Sequence, residues 1–115
     1  MSKITLPSGA SFEMNLAPFS EANSLNKAVA KELKKIKIDG EMDFSDPNFI
    51  KDLACAAISS DEIIDCAWIC LKRCLIDKSK ITEEYFEKNR EDYIPVMKEV
   101  IVGNVAPFFK GLLSR

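Results

Sequence analysis

The chain has 115 residues, 47% of them hydrophobic and 30% charged, with a formal net charge of -2. That length fits a single domain with one core, and that balance excludes wholesale disorder. The net charge supplies no global field for nucleic acid, and lysine greatly outnumbers arginine, the usual bidentate reader of phosphates and bases, so nucleic-acid binding is disfavoured.

The opening residues, MSKITLPSGA, hold no apolar core of the kind a secretory signal needs, and no apolar run approaches the roughly 18 residues that span a bilayer. The expectation is a soluble, cytosolic protein with no membrane partner. Its four cysteines then meet a reducing environment, where a disulfide framework is the wrong first reading.

Lys3 to Leu16 alternates as strands do, with Ile4 and Leu6 matched by Phe12, Met14 and Leu16 across Pro7-Ser8-Gly9. Proline at the first central turn position and glycine two later suit a tight hairpin with a left-handed residue at Gly9. The alternative is a loosely ordered N-terminal arm. Ser20 can cap a helix running to about Lys35, in which Leu25, Val29, Leu33 and Ile36 make an apolar stripe. Asp46-Pro47 is a strong start signal for a helix from Asn48 to about Ile58, since proline lacks only a donor that the first turn does not use. That helix is expected to bury Phe49, Leu53, Ala57 and Cys55. Ser59 and Glu62 fit a capping box that opens the next helix.

Asp61 to Ile76, DEIIDCAWICLKRCLI, is the expected structural centre. Ile63, Cys66, Ala67, Cys70, Leu71 and Cys74 share one broad face, and so apolar a helix is usually covered on most sides. Asp77 to Lys80 reads as a polar connection. Thr82 can cap a short helix, Glu83 to Lys88, and Asp92 is the expected cap of a final helix from Tyr93. There Pro95 falls in the tolerant first turn, while Gly103 and Pro107 weaken or bend the end. The chain is therefore expected to be mainly α, a single compact helical domain over 1–115 with four to six helices and a short N-terminal β-hairpin over 3–16.

Cys66, Cys70 and Cys74 recur every four residues, with Cys55 available from the preceding helix. A soft metal site is one reading of that pattern. A straight helix, however, puts the first and third thiolates about 12 Å apart, too far for one ion. The stripe also coincides with the buried face, and free cysteine behaves as a small hydrophobe. Packing is the expected role, and no metal or cofactor is expected. The chain has no histidine, the commonest general base. Its glycines are scattered and its paired acids sit at helix starts, where they complement the helix dipole. No enzyme is expected. Trp68, mid-helix, is expected in the core.

Val105-Ala-Pro-Phe-Phe-Lys-Gly-Leu-Leu113 is the stretch where binding competes with packing. Adjacent aromatics on a helix point in different directions, and an exposed apolar patch marks a partner or oligomer surface. Folding back as the last helix of the core is the other reading.

Taken in order, Ile4-Thr-Leu-Pro-Ser-Gly-Ala10, the run from Ala67-Trp68 to Ile81-Thr82, Asp92-Tyr-Ile-Pro-Val96 and Val105 to Leu112 resemble the tail assembly chaperones of long-tailed bacteriophages and prophages. The resemblance implies a non-enzymatic protein of the bacterial host cytoplasm. Such a protein binds the tape measure protein, keeps it soluble, promotes assembly of tail-tube protein around it, and is absent from the mature virion. It also implies that an ending at Arg115 corresponds to the form without a frameshifted extension. The partner surface, and a homo-oligomer contact, are then expected from Tyr93, Met97, Phe108, Phe109, Leu112 and Leu113. The rival reading is a cytosolic redox- or metal-responsive helical regulator built on the cysteines.

Overall fold

The structure is a computed structural model and describes residues 2–35 and 46–113. It is mainly helical with an N-terminal antiparallel strand pair, as the sequence pattern predicts. Strands β1 (Ser2–Thr5) and β2 (Ser11–Met14) form the first hairpin, with Ile4 opposite Phe12 and Lys3 opposite Glu13. The Gly9 amide donates to the Leu6 carbonyl at 2.8 Å, and Gly9 itself takes a φ of +95°. Only glycine adopts that backbone without steric cost, which is why Pro7-Ser8-Gly9 closes the turn.

Helix α1 (Phe19–Lys35) follows, then α2 (Pro47–Ile58). Asp46 caps α2 by accepting from the Asn48 amide, with Pro47 at the first helical position, as expected. Helix α3 (Asp61–Leu71) is capped differently from the expected box: Ser60 accepts from the Ile63 amide, and Ser59 ends α2 instead. Cys55 faces solvent rather than the core. The Phe49 and Leu53 side chains lie outside the described part, as does Ile36.

The largest departure is at the end of α3, which was expected to reach Ile76. It stops at Leu71, and Leu75–Ile76 (β3) and Ser79–Lys80 (β4) form a second hairpin. Asp77 and Lys78 have φ of 49° and 66°, the two-residue turn whose twist matches antiparallel strands. The Asp77 amide donates to the Ser11 carbonyl, and its carboxylate accepts from the Ser11 amide at 2.9 Å. Those bonds tie the turn to β2, so the sheet runs β1-β2-β3-β4 with Phe12 between Ile4 and Ile76. A lone hairpin is marginal in water, and the second one gives the first both a neighbour and a continuous apolar face.

Thr82 caps α4 (Glu83–Lys88) as expected, a short 3-10 turn covers Arg90–Asp92, and α5 (Tyr93–Leu113) closes the chain. Helix α5 continues past Gly103 and Pro107. A methyl group on Gly103 would come within 2.6 Å of the Met14 terminal methyl, so this glycine lets the sheet approach the helix. Helix α1 packs mainly on α3 and α5, and the core joins Leu25 and Val29 of α1 with Ile63, Ala67, Cys70 and Leu71 of α3 and Val96, Val100 and Val105 of α5. Asp92 is not a helix cap. It is fully buried, and its carboxylate accepts from the Ser8 amide, the Ser8 hydroxyl and the Tyr85 hydroxyl. It thus bolts the first hairpin turn to α4 and the root of α5.

Candidate partner-binding surface

Between β2 and α1 the chain runs through Asn15-Leu16-Ala17-Pro18, and hydrogen bonds to α5 and to the residues just after α3 hold that segment in place. Asn104 is buried in α5, 2% exposed, and its amide nitrogen donates to the Val100 carbonyl at 2.8 Å. Its amide oxygen accepts from the Ala17 amide at 3.0 Å, so both ends of a buried polar group are satisfied. Asn15 donates from its side chain to the Arg73 carbonyl at 2.9 Å, where α3 gives way to β3. The Pro18 carbonyl accepts from Ala22 and starts α1.

Leu16 sits between these anchors and is 65% exposed, and Phe19, one step into α1, is 73% exposed. A leucine and a phenylalanine left in water on a tethered backbone forgo roughly 2 kcal/mol each of possible burial. The Phe19 ring meets Phe108 of α5 at 5.8 Å between centroids, tilted by 41°. The start of α1 and the end of α5 therefore share an apolar shelf, with Phe108 half-buried beneath Phe19.

This gathers some of the partner residues expected from sequence and separates others. Phe108 belongs to the shelf, while the side chains of Phe109, Leu112 and Leu113 lie outside the described part. Tyr93 is half-buried in an aromatic cluster around Phe86, fifteen positions earlier on α5 and thus about 22 Å away along the axis. Met97 is 2% exposed and belongs to the core, because the first half of α5 is covered by the other helices. Neither adjoins Phe108. Leu16 and Phe19, by contrast, escaped the sequence reading. Leu16 looked like the third member of the buried strand set, but β2 ends at Met14 and the alternation ends with it. Phe19 carried a weaker signal of its own: it lies about 120° around α1 from Leu25 and about 80° from Val29, at the edge of the buried stripe.

Two of the four cysteines pack in the core, and the four do not converge on one point. Cys70 and Cys74 are buried, Cys66 is half-buried and Cys55 is exposed. Cys74 lies beyond α3, with its sulfur 3.7 Å from the Met14 sulfur and 3.7 Å from the Asn15 carbonyl. Burial pushes the Cys70 thiol up to about 11 and raises Cys74 as well. Burial also raises Cys66, with help from Glu62 and Asp65. Among the described residues, no three side chains of the metal-binding types come together. At pH 8 a thiol with a pKa near 11 carries only about one hundredth of the thiolate of one near 9. A thiol-reactive dye should therefore label buried Cys70 at least about tenfold more slowly than exposed Cys55 in native protein, with Cys66 and Cys74 also slower than Cys55, and all four at one rate in denaturant. Rapid native labelling of Cys70 or Cys74 would contradict this packing and favour the thiol-regulator reading.

Within the described residues, no helix is long and apolar enough to cross a membrane. Compared with protein-family models, curated proteins and solved structures, the chain matches none.

Proposed function

We propose that this chain is a non-enzymatic tail assembly chaperone of a long-tailed bacteriophage or prophage. It acts in the bacterial host cytoplasm, holding the tape measure protein soluble and promoting assembly of tail-tube protein, and does not remain in the mature virion. One observation carries the binding part of this reading: Phe19, 73% exposed, rests its ring on Phe108, inside the segment that carries the closing part of the resemblance. A tape measure protein is long and helical, and amphipathic helices bind by laying apolar side chains against such shelves. Leu16, also exposed, lies three residues before Phe19 on a backbone held by the Ala17–Asn104 and Asn15–Arg73 bonds, so binding there costs little further conformational entropy. The same shelf is the proposed contact for self-association.

The test is co-expression with the cognate tape measure protein. Exposed aromatic anchors are typical hot spots, each worth about 2 kcal/mol or more, so Phe19→Asp plus Phe108→Asp should reduce complex formation by more than about tenfold. Soluble tape measure protein should fall with it, as should any oligomer seen by light scattering. Phe19 is mostly in water and Phe108 is only half-buried near the end of α5, so far-UV circular dichroism should stay close to that of the parent. A folded double variant that still keeps the tape measure protein soluble would refute the assignment.

A further inference from the structure

We propose that the cleft between α3, α4 and the start of α5 docks a lysine or arginine side chain from a basic segment of a protein partner. The cleft opens to solvent with a volume of about 360 Å³. Phe86, 7% exposed, forms its floor, and Trp68 and Tyr93 meet Phe86 edge-on at 5.8 and 5.1 Å between centroids. Trp68 and Tyr93 are both half-buried, so part of each indole and phenol surface remains available to a ligand. Glu83 and Glu87 line the same cleft from α4, one helical turn apart on one face. Both are exposed, and neither makes an ion pair among the described residues.

Aromatic walls with two uncommitted carboxylates at the lip complement one kind of side chain. The aliphatic stem of lysine or arginine packs on rings while its head stays at a polar rim, and a cation near an indole gains from the ring quadrupole. The carboxylates then supply charge-assisted acceptors for the same head group. Arg90, also lining the cleft, cuts the local charge from two negatives to one and leaves room for a single further cation. A carboxylate-bearing segment would meet Glu83 and Glu87 with like charge. This surface lies about 22 Å along α5 from the Phe19–Phe108 shelf and does not depend on the chaperone reading.

Trp68 is the sole tryptophan, so the protein carries its own reporter. The probe is a synthetic 14-residue amphipathic helix of leucine and lysine, compared with a counterpart of leucine and glutamate. The basic peptide should change Trp68 emission saturably, at least about tenfold more tightly than the acidic one, and 1 M NaCl should weaken it by screening. Glu83→Gln plus Glu87→Gln, both at exposed positions, should weaken the basic peptide's effect on Trp68 emission about tenfold. Equal affinity for the acidic peptide, insensitivity to salt, or undiminished binding by the glutamine variant would each overturn the proposal.

Discussion

Phe12→Ala should destabilise the protein by about 4 kcal/mol and lower Tm by about 15 °C. Phe12 is 1% exposed in β2, an inner strand of the sheet, with Ile4 across from it on one side and Ile76 on the other. Truncating it opens a cavity where both hairpins meet the helices, so the lost contacts cannot be recovered by shifting one strand. The loss is large against the 5–15 kcal/mol that holds a typical domain together. Lys3→Ala on the opposite, solvated face is the control. Lys3 reaches Glu13 at 3.6 Å with its own side chain 59% exposed, and such pairs contribute about 0–1 kcal/mol. Thermal melts of the two variants check the contrast. A Phe12→Ala protein melting within a few degrees of the Lys3→Ala one would mean that the sheet is not docked as described.

What the sequence revealed follows from how local each signal is. Pro7-Ser8-Gly9 and Asp46-Pro47 work through their own backbone, and both turn and cap stand where expected. The second hairpin was hidden because its turn is Asp77-Lys78, without the glycine that usually marks two positive φ angles. Asp77 tolerates that backbone because Ser11, 66 residues away, bonds to its carboxylate. The helix-like spacing of Cys70 and Cys74 then extended α3 on paper past its true end at Leu71. Tertiary pairing of β3 with β2 overrode the local periodicity. The candidate surface was half legible for a similar reason. Phe108 announces itself beside Phe109, but that it meets Phe19 depends on Asn104 holding Ala17, a contact across 87 positions. Asp92 illustrates the same limit. An acid before a helix reads as a cap, and nothing nearby signals that Ser8 and Tyr85 claim it.

Asp92→Asn should cost about 2 kcal/mol at pH 7, about 8 °C in Tm, with a penalty that fades in acid. Burial by itself would raise the Asp92 pKa. The bonds from the Ser8 hydroxyl, the Tyr85 hydroxyl and the Ser8 amide outweigh burial and hold it below the ordinary carboxylate value. Burial and the bond to Asp92 in turn raise the Tyr85 phenol, keeping it a protonated donor at neutral pH. Asparagine keeps the shape but loses the charge, and its NH2 group faces donors where the carboxylate offered acceptors. Because the folded-state pKa is depressed, the carboxylate stabilises the fold fully above the unfolded value of about 4. That contribution is lost as pH falls from there through the lower folded value. Urea unfolding of parent and variant at pH 7 and at progressively lower pH measures the gap directly. It should be widest at neutral pH and shrink in the acid limb as the parent protonates. A gap of constant size across that range would show that the variant suffers from misfit alone, and that the charge on Asp92 does not fasten the first hairpin to α4 and α5.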